Sequence, residues 1–276
     1  RALADTPFAA QMPLQQTLLH DDSDLLLQAV QDFWRQHVAG PAADPALTSW
    51  LLAKGDTPDR WARLLKRQMA KPLSVLRWPE DIDAPALPGA GAGAVEHAFA
   101  QARMAWPTQG EAALEALRKG LGQLNGTTYK ADGLAQVRQA WAGWMAAASP
   151  PGPHAALPAK AAQLGSAMLQ AKTKAGKVMP EHPFFHTAQA LLDALAARAR
   201  HLALARLRLL RSLLADAGQA LRDTKRQHRV VAFDDMLFNL HLRLQGPGGD
   251  GLAASLRARF PAALIDEFQD TDPLQF

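Results

Sequence analysis

The stretch AALIDEFQDTDPLQF sets four carboxylates, Asp266, Glu267, Asp270 and Asp272, directly behind an apolar run. AALIDEF reads as a buried, parallel strand, because a strand covered on both faces is continuously apolar. In open α/β sheets ligands bind beyond the carboxyl ends of the strands, where these acids fall. One carboxylate there can hold Mg2+ against nucleotide phosphates, usually through retained waters. A second beside it can orient or deprotonate an attacking water. Acids this closely spaced repel one another unless a cation joins them, so the spacing favours a metal-and-phosphate role over a polar turn.

Other candidate chemistry is weaker. Gly89, Gly91 and Gly93 suggest a phosphate-cradling loop, but no strand precedes them and no Lys-Ser/Thr follows. The G-x-x-x-x-G-K-[ST] pattern occurs nowhere in the 276 residues. His182 and His186 have the i,i+4 spacing of a metal-binding helix face, yet Pro183 separates them and no acid stands as a third ligand. A structural pair is the better reading. Basic residues gather in RWARLLKRQMAK, KTKAGK and RDTKRQHR, whereas acids concentrate near the end. Such clusters attract phosphate backbones without reading bases, or else form solvated helix faces.

The elements that position these groups are mostly helices. DDSDLLLQAVQDFWRQHV begins with Asp and Ser caps and spaces Leu26, Val30, Phe33, Trp34 and His37 on one face. Thr57 is an N-cap, with Pro58 at the first helical position, where its missing N–H costs nothing. Thr108 and Glu111 make a capping box for a helix stopped by Gly120. A further helix, DGLAQVRQAWAGWMAAA, ends at SPPGP. From Pro183 a very long helix reaches the 220s, with Ala203, Leu207, Leu210, Leu214, Ala217 and Leu221 as its apolar seam. Phe233, Leu237, Leu240 and Leu244 form the face of another helix, which begins with Asp234 and Asp235 in its favourable first turn. Asp250 caps a short last helix, closed by Pro261.

WPEDIDAPALPGAGAGA and SPPGPHAALPAK are expected to be loops between helices. The seven tryptophans lie in or beside the helices and suit core packing. The length allows one large domain or two smaller ones. The absence of cysteine excludes disulfides and thiolate metal sites and fits a reducing, cytoplasmic setting. No apolar run is long enough to span a bilayer, so no membrane partner is expected. The sequence opens without Met or a secretory pattern and reads as a piece of a longer chain.

LIDEFQDTDPLQ resembles the Walker B segment, motif II, of the UvrD-like superfamily 1 DNA helicases. FDDML, LRARFPAALIDEFQDTDPLQ, KTKAGKVMPEHPFF and DFWRQHV sharpen the resemblance to the RecB-type subunits of helicase–nucleases (exodeoxyribonuclease V), with UvrD-like and AddA-like helicases as neighbours. The stretch from about residue 80 to 160 carries no shared motif.

The resemblance implies a mainly α fold. Residues 1–230 would be a helical 1B-type accessory domain, and residues 231–276 a partial return into the RecA-like 1A motor domain. It implies an ATP-dependent helicase and exonuclease acting in double-strand break repair, with Mg2+ and ATP as cofactors. DNA and RecC-like and RecD-like subunits would be its partners. Asp266 would hold Mg2+, Glu267 activate the hydrolytic water, and Gln269 sense the γ-phosphate region and couple it to DNA or to neighbouring motifs. Asp270 would support the local fold, while Asp234 and Asp235 receive no role. Lys66, Arg67, Lys71, Lys172, Lys174 and Lys177 would meet duplex phosphates. Without the phosphate loop, the chain alone is expected to be inactive and to hold neither cofactor. Residues 262–268, deprived of their sheet, are expected to refold as helix, pair with another chain or pack non-natively. The same residues also fit a self-contained helical DNA-binding or scaffold module.

Overall fold

The computed structural model describes residues 17–85, 91–155, 157–158, 160–262 and 264. The expected helical class holds: helices dominate, and among the described residues the only sheet is one parallel pair of strands. Cα packing separates two compact units. One comprises residues 1–44, 55–80 and 208–276, the other residues 45–54 and 81–207.

In the first unit, β1 (Thr17–Leu19) pairs in parallel with β2 (Val230–Ala232), Leu18 opposite Val231. Helix α1 (Ser23–His37) follows β1 and buries Leu26, Val30, Phe33 and Trp34, as its periodicity predicts. His37 stays exposed, its ring 4.3 Å from that of Phe33. Helix α2 (Pro45–Ala53) belongs to the second unit. Helix α3 (Pro58–Met69) starts as read, with Thr57 Oγ1 accepting the Arg60 amide at 3.2 Å. It packs on α1 with Trp61 edge-on to Trp34, their centroids 4.8 Å apart. The Trp61 indole N–H is satisfied by the buried carboxylate of Asp56 at 3.0 Å.

The second unit is built around α4 (Ala92–Lys119), α5 (Leu134–Ala146), α6 (Ser166–Ala171) and the residues up to Leu207 of α7 (Pro183–Ser212). Trp141 lies at the centre of its core. The Trp141 ring stacks on Trp106 at 6.0 Å and meets Phe184 edge-on at 5.3 Å, and its indole N–H donates to the Ala161 carbonyl at 2.9 Å. Gly110 makes room for Trp106, since a Cβ there would fall 2.8 Å from the indole. Arg103 and Arg198 pin the proline-rich loop by donating to the carbonyls of Ala148 and Pro151. Burial lowers the Arg198 pKa from its ordinary value.

Three local expectations change. Thr108 does not begin a helix: α4 runs through Pro107, and Thr108 Oγ1 donates to the Ala105 carbonyl. A proline inside a helix costs about 3 kcal/mol. Burying Val95, Phe99 and Ala102 before it and Ala113, Leu114 and Leu117 after it offsets that cost. Glu111, freed from capping, pairs with Arg138 at 2.6 Å. The stop at Gly120 stands.

The long helix does run from Pro183 into the 220s, but as α7, a wide π turn (Leu213–Ala217) and α8 (Gly218–Gln227). The extra residue in that turn rotates the seam, so Leu213 is buried where Leu214 was expected. Finally, Asp250 sits inside the first turn of α10 (Gly249–Arg259), because left-handed Gly248 (φ 83°) breaks the chain ahead of it. Helix α9 (Phe233–Gln245) forms as expected but leaves Phe233 and Leu244 exposed.

Candidate functional site

Asp266, Glu267, Gln269, Asp270 and Asp272 lie outside the described residues, as do residues 263, 265 and 268 of the expected strand. The basic residues are described. Lys66 and Arg67 occupy the last turn of α3, where the helix dipole favours cations, and both are exposed. Lys66 Nζ reaches Ser23 Oγ at 2.9 Å and Asp21 at 3.9 Å. The Ser23 hydroxyl and amide both donate to Asp21 and, with Lys66 nearby, hold its carboxyl below the usual value. Lys71 lies exposed just past the helix, its carbonyl taken by the amide and hydroxyl of Ser74.

Lys172, Lys174 and Lys177 belong to the other unit. KTKAGK folds into a tight turn, the Lys177 amide donating to the Lys174 carbonyl at 3.0 Å. Gly176 supplies the positive φ (73°) that such a turn needs at its third position. The turn is fastened to the residues after α4: Asn125 donates to the Lys172 carbonyl and Lys174 to the Gln123 carbonyl, flanking a bridge between Leu124 and Thr173. All three lysines are exposed. The Lys174 ammonium caps the Gly122 carbonyl at 2.9 Å.

Of the histidine pair, only His182 has a structural contact. His182 Nδ1 accepts the Phe184 amide at 3.1 Å, capping α7, and His186 is exposed. Among the described residues no group of three His, Cys, Asp or Glu is placed to hold a metal ion. Among them, too, no helix is long and apolar enough to cross a membrane.

One arrangement was missed from sequence. In the first unit a cleft of about 380 Å³ is lined by His20, Asp21, Asp22, Lys66, Arg222 and Asp235, among others. Beside it lies Lys225, with only 4% of its side chain exposed. Its ammonium sits 2.5 Å from Asp22 and 2.7 Å from Asp235. Burying an ammonium costs several kcal/mol unless charge and hydrogen bonds replace its water. Two carboxylates from separate helix starts do so. Asp235 also accepts the Ala232 amide at 3.0 Å, closing the first turn of α9. A signal existed: Lys225 stands four residues after Leu221, the next position on the apolar seam of α8, where a charge needs a partner.

Residues 158–276 match the family described as UvrD/REP helicase N-terminal domain. The whole chain aligns, at 30% identity over 283 positions, with "RecBCD enzyme subunit RecB" of Escherichia coli (strain K12), covering 22% of that protein. The RecB subunit of Haemophilus influenzae is 48% identical over 58 residues, 21% of this chain and 5% of that protein. That of Mycolicibacterium smegmatis is 37% identical over 71 residues, 26% of this chain and 6% of that protein. The chain therefore spans about a fifth of the length of the RecB subunit it matches from end to end. These matches make the chain RecB-like: it is similar to a RecB subunit along its whole length and to the UvrD/REP helicase N-terminal domain over residues 158–276.

Proposed function

We propose that the chain is part of an ATP-driven DNA motor subunit acting in double-strand break repair. In this reading residues 1–230 form a helical 1B-type domain facing duplex DNA, and residues 231–276 return into a RecA-like 1A domain carrying motif II. The observation that carries it is similarity to a RecB subunit along the entire chain, together with Asp266 and Glu267 in the sequence LIDEFQD. The donor set suits the ion, since Mg2+ prefers hard carboxylate oxygens. Asp266 would hold Mg2+, which when bound neutralises charge on nucleotide phosphates. Glu267 would orient and deprotonate the attacking water, and Gln269 would couple that site to DNA.

Lys66, Arg67 and Lys71 on one unit, and Lys172, Lys174 and Lys177 on the other, would contribute phosphate contacts that position duplex without reading sequence. RecC-like and RecD-like subunits, exonuclease activity and a cytoplasmic setting follow from the same reading. So does inactivity of the 276 residues alone, since they hold no phosphate loop. Reading the coding sequence ahead of Arg1 tests the proposal. A G-x-x-x-x-G-K-[ST] loop following a strand pattern is the expected result. An open reading frame lacking one would instead favour a self-contained helical DNA-binding module.

A further inference from the structure

The sequence FDDML sits in the RecB-like signature without a chemical role, and the structure offers one for its second acid. Asp235 makes two contacts with one carboxylate. It accepts the Ala232 amide at 3.0 Å and the Lys225 ammonium at 2.7 Å. Lys225, in the last turn of α8, is in turn held by Asp22, the residue before α1. Asp22 follows β1 and Asp235 follows β2, so one buried ammonium joins the two segments that leave the same end of the parallel pair. A simple cap would need only the Ala232 amide. The second contact makes the direction of α9 depend on a residue at the start of α1.

We infer that Asp235 is a positioning residue, which acts through buried Lys225 and Asp22 to fix how α9 departs from the β1–β2 pair. Helices α9 and α10 lead in sequence to Asp266 and Glu267. The functional consequence, which rests on the motor reading above, is that loosening this latch lowers the turnover of the motor. The latch requires no ligand and proposes no reaction step. Lys66 and Arg222 line the same cleft but are spoken for, Lys66 by Ser23 and Arg222 by Gln219.

Hydrogen exchange of the 276-residue chain tests the latch directly. Asp22→Asn should speed exchange of the Ala232 amide and of the second turn of α9 by about tenfold or more, although the substitution lies just before α1. Asp235→Asn should do the same and also loosen β2. Asp22→Asn with Asp235→Asn strands the buried ammonium and should be the most disruptive. Lys225→Met removes that charge and should be milder than the double variant, which keeps the test decisive if the double variant does not fold. Unchanged exchange in α9 for Asp22→Asn, or a Lys225→Met variant as damaged as the double, would overturn the inference. In the full motor protein, Asp22→Asn should lower kcat for DNA-stimulated ATP hydrolysis with KM for ATP unchanged. A wild-type protein without such hydrolysis would count against the motor reading while leaving the exchange result to decide the latch.

Discussion

Lys174 donates its ammonium to the Gly122 carbonyl at 2.9 Å, so the middle lysine of KTKAGK fastens its own turn. Lys172 and Lys177 share the turn and are likewise exposed. If the proposed duplex contacts are made, the three lysines should contribute to them unequally.

For duplex binding, Lys172→Ala and Lys177→Ala should each reduce the slope of log K against log salt by about 0.9, the value of one lost phosphate contact. Lys174→Ala should change the slope less and instead lower thermal stability, by freeing the turn from the residues after α4. Equal slope changes for all three would show that the carbonyl contact does not hold Lys174 back from phosphate.

Asp81 and Arg200 predict acid sensitivity. Arg200 lies 2.5 Å from Asp81, and its hydrogen bond holds that carboxyl below its ordinary value of 3.8. A depressed carboxyl contributes stability above its unfolded-state pKa, and that contribution disappears as pH falls through the folded-state value. The melting-temperature gap between wild type and Arg200→Gln should thus be constant near neutrality and close below about pH 4. A gap that widens in acid would contradict this sign.

Trp141 anchors the second unit. Trp141→Phe removes the donor to the buried Ala161 carbonyl and leaves space beside Trp106 and Phe184. Urea denaturation should show a loss of about 2–3 kcal/mol. Trp50, half-buried beneath the Lys54 ammonium, should lose about 1 kcal/mol or less on the same change.

Arg229 holds the left-handed conformation (φ 54°) between α8 and β2, where a side chain strains the backbone. Arg229→Gly should stabilise the chain by about 1 kcal/mol, read as a raised melting temperature. A destabilised variant would mean that the Arg229 side chain contributes more than its strain costs.

Much of this architecture is visible in the residues. Thr57 and Pro58 announce α3 because a hydroxyl cap and a proline at the first position satisfy a helix start unaided. Leu26, Val30, Phe33 and Trp34 reveal the buried face of α1 by spacing alone. Thr108 misleads because the same local chemistry occurs inside a helix whose two halves bury the same face, and only the core decides that Pro107 is tolerated. The β1–β2 pair escapes notice because three residues are too few to show alternation, and because its partners lie at opposite ends of the sequence. The Lys225 latch depends on that pairing, so its carboxylates cannot be matched to it before the strands are. Asp266 and Glu267 are read from the sequence alone, because they lie outside the described residues.

The central claim is that Glu267 activates water in a DNA-stimulated ATPase to which this chain contributes. Steady-state phosphate release, with and without duplex DNA, tests it most directly. The chain of 276 residues alone should release none. The full protein containing it together with a phosphate loop should show DNA-stimulated release, which Glu267→Gln abolishes while nucleotide binding persists. Release by the chain alone that Glu267→Gln suppresses, or release by the full protein indifferent to that substitution, would contradict the account.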